Sequence, residues 1–241
     1  MIGGLLLILW GAMWLVAGWT AQRMGLKLPR WREWTPYFLL LAGVVIIWLG
    51  ASSAHAQTVR IPDVSARLRL QVEQASAEEW GVDSSPARLA AQLHQESVWN
   101  ANAKSPAGAE GLAQFMPATG RWLSAKFPQL GPYDPWDPAW SARAAAVYDH
   151  WLLTRNPGRG ACSNWAFALS AYNGGESMLR REQALAQANG RDQLRWFDNT
   201  ADYRVRSTSA FQENRAYVKR ILLTLEPAYV AAGWGGKAVC T

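Results

Sequence analysis

The sequence predicts a mainly α fold. Apolar residues recur at helical spacing between Pro and Gly punctuation, and no alternating β-branched run exceeds four residues. Half of the 241 residues are apolar, which is ample for a buried core. Asp63–Trp80 places Val64, Leu68, Val72 and Ala75 near helical spacing. Ser85-Pro86 then reads as an N-cap followed by Pro at the first helical position, where its missing N–H costs nothing. That helix runs through Leu89 and Leu93 to Glu96. Asp137-Pro138 repeats the start signal for a helix to about Thr154, stopped by Asn156-Pro157-Gly158. Cys162–Tyr172 is a further apolar helix, ended by Asn173-Gly174-Gly175. Glu176–Asn189 is amphipathic and closes on Gly190. Gln212–Leu225 is the last strong helix, with Pro227 as its terminator. Gly/Pro-rich loops at 104–111 and 128–138 leave room for one short β-hairpin.

The first 56 residues have a different character. Ile2–Trp19 is an uncharged run of eighteen residues, just long enough to span a bilayer as a helix. Phe38–Gly50 is an uncharged run of thirteen, the length of a signal-peptide core, and it leads to the small-x-small site Ala54-His55-Ala56. Between them lies a basic link, Gln22–Arg32. Two readings stay open. Translation from Met24 would make Lys27, Arg30 and Arg32 the basic start of a signal peptide cut after Ala56. Alternatively, the two runs form a helical hairpin whose basic link stays in the cytoplasm. Both place residue 57 onward outside the cytoplasm, with the inner membrane as a partner of the N-terminal segment. Six of fifteen tryptophans fall in this region, where interfacial Trp is common; the other nine need a core or an aromatic-lined groove.

Net charge is +6, split evenly: +3 over residues 1–56 and +3 over residues 57–241. Without a dense Lys/Arg stripe, nucleic acid is not an expected partner. The two cysteines, Cys162 and Cys240, fit no metal spacing. They either pair in an oxidising compartment, with about 4–5 kcal/mol of stabilisation in the chain-entropy model, or remain unpaired thiols. His94, two residues before Glu96, lies on another helix face and reads as structural. The three histidines are too dispersed for a zinc site, and no nucleophile elbow or phosphate loop occurs. No metal or cofactor is expected.

The chemistry points to one acid. Glu96 ends an apolar helix and precedes Val98-Trp99, so its charged form is disfavoured and its pKa should rise, as suits a general acid. Fourteen residues after Ser97 begins Gly111-Leu112-Ala113-Gln114-Phe115-Met116-Pro117. Taken with Gln95-Glu96-Ser97, Ser105-Pro106-Ala107-Gly108-Ala109, Ala171-Tyr172-Asn173-Gly174-Gly175 and Glu213-Asn214-Arg215-Ala216-Tyr217-Val218, this series resembles the signature of soluble-lytic-transglycosylase catalytic domains. The blocks follow the family's order across roughly residues 86–225.

The resemblance implies a lysozyme-like helical domain, set at residues 86–241, and the patterning before it sets residues 57–85 as an N-terminal helix of the soluble part and 1–56 as a membrane-targeting region. It implies a long saccharide groove that takes peptidoglycan glycan strands, and cleavage of the MurNAc–GlcNAc β-1,4 bond to leave a 1,6-anhydro end on MurNAc. Glu96 would be the acid and then the base. Ser105 and Gln114 would hydrogen-bond groups around the cleaved bond, and Met116 would pack on the sugar. Tyr172 and Asn173 would line the groove, Tyr217 would hold the Glu96 carboxyl, and Glu213 would support that side. Each position also has a plain structural reading: Met116-Pro117 as a helix start, Tyr172 as a core aromatic, Asn173-Gly174 as a helix stop. Departures from the family pattern are Ala113 in place of a frequent Met, and Gly174-Gly175 in place of Ala-Gly, which would loosen the backbone.

Sugar hydrolases usually need two carboxylates flanking the bond. Between Glu96 and Asp134 the sole other acid is Glu110, which favours internal attack over water. Two alternatives remain: a hydrolytic, goose-type muramidase on the same fold, or a low-turnover peptidoglycan-binding component of an envelope-spanning machine. Wall remodelling, machine assembly and phage lysis all suit a membrane-targeted enzyme of this size.

Overall fold

A computed structural model describes residues 59–240. The expected membrane-targeting region, 1–56, with its signal-peptide and hairpin readings, lies outside the described residues. Among the described residues no helix is long and apolar enough to cross a membrane.

The described residues form one compact unit. Its helices are α1 (Val64–Trp80), α2 (Pro86–Ser97), α3 (Pro117–Lys126), α4 (Pro138–Arg155), α5 (Ala161–Gly174), α6 (Glu176–Ala188), α7 (Thr208–Arg220) and α8 (Glu226–Ala231). The core is built around α2, which packs against α1, α4 and α8, while α5 packs against α4, α6 and α7. Every residue of α2 from Ala87 to His94 is buried. A helix so enclosed must find partners for its polar side chains internally, and it does so except at the Gln92 Oε1, which is buried without one. Arg88 Nε donates to Glu226 of α8 at 2.7 Å, Gln92 Nε2 donates to Asp149 of α4 at 3.1 Å, and the His94 ring meets the Tyr229 hydroxyl at 3.0 Å. Burying Leu89 and Leu93 contributes about 1.5–3 kcal/mol each.

The start signals work as elementary geometry requires, with one difference. Asp137 caps α4 by accepting from the backbone N–H groups of Ala139 and Trp140. Ser85 does not cap α2 with its side chain; its hydroxyl is buried without a partner. The C-terminal tail crosses here instead, and the Gly235 carbonyl accepts from Ala87 N–H at 3.3 Å. Met116-Pro117 does begin a helix, α3.

Two expectations are corrected. No hairpin forms in either loop among the described residues. The 104–115 segment makes just two isolated antiparallel bridges, Lys104 with Glu110 and Glu110 with Phe115. Gly111 and Gln114, at φ 77° and 49°, coil the chain back before a ladder can extend. Nor does Pro227 end the last helix. Residues Ile221–Leu225 form a π turn in which the Glu226 N–H reaches the Ile221 carbonyl. Pro227 then occupies the first turn of α8, where it tolerates its missing donor.

Cys162 and Cys240 are joined by a disulfide across a separation of 78 residues. A cross-link of that length stabilises by about 4.5 kcal/mol in the chain-entropy model. The Cys162→Ser/Cys240→Ser variant should therefore unfold at clearly lower urea concentration than the oxidised protein. An unchanged midpoint would show that the bond contributes nothing.

Candidate active site

Immediately after α2 the chain makes an unusual turn. Val98 and Trp99 both adopt positive φ, 52° and 67°, a costly conformation for a β-branched residue. The Val98 N–H satisfies the His94 carbonyl at 3.0 Å. Trp99 anchors the turn: its ring is buried against Tyr229 and Trp234, and its indole N–H donates to the Tyr229 hydroxyl at 2.6 Å. Backbone strain of this kind collects at working sites, and here it fixes the end of α2 on which Glu96 stands.

The loop after the turn forms the opposite wall. Ser105 accepts from the Ala109 N–H through its Oγ at 2.9 Å. Gln114 Nε2 donates to the carbonyls of Gly111 at 2.8 Å and Ala103 at 3.1 Å. Gly111 is required by shape as well as by φ: a Cβ there would lie 1.7 Å from the Pro135 carbonyl oxygen. Phe115 is buried and sets its ring against Trp140, Tyr148 and Tyr172.

Between α2, this loop, α5 and α7 opens a cleft of about 520 Å³. Glu96, Ser105, Gln114, Met116, Tyr172, Asn173, Glu213 and Tyr217 all line it. The Tyr217 hydroxyl, from α7, donates to Glu96 Oε1 at 2.5 Å. The Tyr172 hydroxyl donates to the Ala113 carbonyl at 2.9 Å, tying α5 to the loop. Asn173 is held from two sides: it accepts from Asn214 at 2.8 Å and donates to Glu213 at 3.4 Å. Met116 is 45% exposed, an apolar surface facing the open cleft. Burial holds the Tyr172 and Tyr217 hydroxyls far above the usual phenol range, so both remain donors.

Glu96 has the electrostatics of an acid catalyst. It lines the cleft and is half-buried, with protein packed around it. Desolvation disfavours the charged form and pushes the pKa up to about 8. The Tyr217 hydrogen bond opposes that rise, and the charges of Asp149 and Glu213 add to it.

Other acids are placed by the fold. Glu110 does not line the cleft; the Lys104 ammonium and the Tyr133 hydroxyl bind it at 3.0 and 2.9 Å and hold it below the usual carboxylate range. Glu213 does line the cleft. Asp149, which sequence reasoning missed, is 1% exposed; desolvation pushes it up to about 8 against the Gln92 hydrogen bond and the Arg88 charge. A signal for it did exist. Arg88, Gln92 and Glu96 recur every fourth residue along an otherwise apolar helix, which marks one polar stripe inside the core. Tyr148 and Arg220 were also missed: both line the cleft, and Arg220 Nη1 donates to Gln95 Oε1 at 2.5 Å. Gly174 has a role other than loosening the backbone. A Cβ there would lie 2.0 Å from Arg206 Nη1, so the glycine makes room for a buried guanidinium.

Comparison with known proteins gives a consistent picture. Residues 72–194 match the model of the Transglycosylase SLT domain. The chain is 31% identical over 174 residues to the membrane-bound lytic murein transglycosylase F of Shewanella halifaxensis, covering 69% of this chain and 34% of that protein. It is 36% identical over 112 residues to the protein of the same name from Pasteurella multocida, covering 46% and 21%. The chain thus spans about a third or less of the length of these relatives. Among solved structures, the 70 kDa soluble lytic transglycosylase SLT70 of Escherichia coli aligns with a TM-score of 0.49 at 24% identity, over 73% of this chain and 26% of that one.

Proposed function

Because the chain belongs to the transglycosylase SLT-domain family, we propose that it is a peptidoglycan lytic transglycosylase, with Glu96 as both acid and base. The observation that carries this reading is the Glu96 carboxyl itself: raised to about 8, and bonded by Tyr217, in a cleft open to a polymer. The protonated carboxyl gives its proton to the bridging oxygen of the MurNAc–GlcNAc bond as C1 separates from that oxygen. The carboxylate left behind takes the proton of the MurNAc C6 hydroxyl, whose oxygen closes on C1. Atoms balance without water, and Glu96 is returned protonated.

The other side chains orient the sugar. Tyr217 holds Glu96 against the scissile oxygen, and its hydrogen bond also eases the passage through the carboxylate. Ser105 and Gln114 are already braced within their loop, so they present fixed polar atoms to the N-acetyl or hydroxyl groups. Met116 and Tyr172 supply apolar surface, and Asn173 and Glu213 form the rim toward α7. The relatives' names, which describe membrane-bound murein transglycosylases, support placing this enzyme in the cell envelope. In our reading residues 1–56 direct it to the membrane, residues 57–85 supply a first helix, and residues 86–241 work on the periplasmic face. The disulfide suits that oxidising compartment.

A specific observation keeps hydrolysis as the second reading: Glu213 is another carboxylate in the same cleft. Both readings need a protonated Glu96. Release of soluble fragments from purified sacculi should hold through neutral pH and decline as pH rises through about 8, because the acid form is the active one and is lost above its pKa. A decline already complete near pH ~5, where an ordinary carboxyl ionises, would remove Glu96 from the acid role.

A further inference from the structure

We propose that Asp149 of α4 is a positioning residue for the cleavage: buried beside the polar stripe of α2, it acts on Glu96 through its charge and keeps the catalytic proton on that carboxyl until substrate takes it. The inference rests on Glu96 as the acid and deepens that site. The mechanism above leaves Asp149 without a task, although it is an ionisable group buried in the core. Its place is set by register. Arg88, Gln92 and Glu96 stand four residues apart on α2, so each lies one turn from the next on one face. Gln92, the middle residue, donates to Asp149 Oδ1 at 3.1 Å. Asp149 is therefore bonded to the side chain one turn below the catalytic carboxyl. Tyr148, the residue before it, lines the cleft and sets its ring 5.2 Å from that of Tyr172.

Packing alone does not explain this carboxyl. A buried carboxylate is costly unless it is paired. The Arg88 guanidinium gives its hydrogen bonds to Glu226 at 2.7 Å and to the Lys237 carbonyl at 3.2 Å, which leaves Asp149 one amide donor. The other end of that amide, Gln92 Oε1, has no partner. Two apolar side chains here would leave no polar group unmet. The neighbouring elements turn most of their charges elsewhere. Glu79 of α1 meets His150, Glu226 of α8 meets Arg88, and Arg121 and Lys126 of α3 lie over Tyr133 and Trp122. On α4 and α2 themselves, Arg155 meets Glu176, Arg143 lines a hollow with Glu78 and Glu79, and His94 meets Tyr229. From α5 comes Tyr172, and from α7 come Tyr217, Glu213 and Arg220, the last bonded to Gln95. Both tyrosines stay neutral. The charges that act on Glu96 are then those of Asp149 and Glu213, and both oppose its ionisation. Burial pushes Asp149 up to about 8, as it does Glu96, so the two ionise over one range and each hinders the other. The effect serves both half-reactions. It keeps the acid protonated near neutral pH, and it makes the carboxylate a stronger base toward the C6 hydroxyl.

Two interacting carboxyls release their protons in two shared steps. The test is a carbon NMR titration of the full chain labelled at its glutamate carboxyls, with the Glu96 signal identified by its loss in Glu96→Gln. In the unmutated chain that signal should titrate in two steps on the alkaline side. In Asp149→Asn, which keeps the shape and removes the charge, it should titrate in one step and lower by about half a pH unit or more, the scale of one partly screened charge. The alkaline decline of sacculus cleavage, each rate taken relative to its own acid-side plateau, should move the same way. Asp149→Leu, which removes charge and hydrogen bond together, should move both readouts as Asp149→Asn does. A single-step Glu96 signal in the unmutated chain would overturn the proposal whether or not either variant folds. So would an Asp149→Asn profile that superposes on the parent's, or a change caused by Asp149→Leu alone, which would make Asp149 a structural group. The titration needs no turnover. Absent cleavage with a two-step Glu96 signal refutes the glycan-cleaving reading, whereas cleavage with a single-step signal refutes the coupling alone.

Discussion

Glu96→Gln should lower peptidoglycan turnover by at least about a thousandfold while leaving the fold intact. General acid–base catalysis by one positioned group contributes on the order of 10²–10⁴, and this group serves both half-reactions. The amide has nearly the shape of the protonated carboxyl and keeps an oxygen for the Tyr217 hydroxyl to bond. Nor should stability suffer. The Glu96 carboxyl is raised from 4.5 to about 8, so between those values the folded state holds a proton that the unfolded chain releases. Its contribution to stability is therefore full below about 4.5 and is lost as pH rises through about 8. The glutamine cannot ionise and avoids that loss, so at mildly alkaline pH the variant should melt no lower than the parent. A folded Glu96→Gln protein with turnover within tenfold of the parent would end the assignment of this residue as acid and base.

Among single substitutions, the largest stability effect should come from Glu182→Ala. Glu182, on α6, is fully buried between two guanidinium groups: Arg206 forks onto it at 2.8 and 3.0 Å, and Arg215 joins at 2.8 Å. Arg215 is on α7, between Glu213 and Tyr217, and also ties the 200–203 segment through three backbone carbonyls. Its guanidinium is 4.3 Å from the Phe211 ring and 4.8 Å from the Trp196 ring. Removing the carboxylate leaves two buried cations facing each other, a loss of about 3–5 kcal/mol. That is a large share of the roughly 5–15 kcal/mol that holds a domain folded. Glu73→Ala makes the contrast. The Arg69–Glu73 pair is 2.6 Å long but about 40% exposed on each side, so its loss should fall within about 0.5 kcal/mol. Urea denaturation of the two variants checks both; equal effects would show that burial does not set the worth of these pairs.

Helix starts at Pro86 and Pro138 were legible because proline presets φ and lacks a donor that the first turn would leave unused. Glu96, Gln114 and Tyr217 were legible as blocks of a family pattern. The hydrogen bond joining Tyr217 to Glu96 across 121 residues is a product of packing that no local signal encodes. Asp149 was only half legible for a related reason: the Arg88, Gln92 and Glu96 stripe signals buried polar partners without saying which residues they are. A polar residue in a helix is read as exposed unless its partner is known, and Gln92 lies 57 residues away. Pro227 misled because a terminator rule assumes α geometry. The π turn at Ile221–Leu225 widens the helix just before the proline. Gly174 misled because a glycine suggests freedom, when its use here is the space it yields to Arg206.

The mass of the chain ends released from sacculi tests the central claim most directly. If the C6 hydroxyl closes on C1 under the single Glu96 carboxyl, mass spectrometry of the digest will find MurNAc ends one water lighter than reducing ends. A digest that yields reducing MurNAc ends alone would show that water is the nucleophile, and would transfer the second role to a carboxylate such as Glu213.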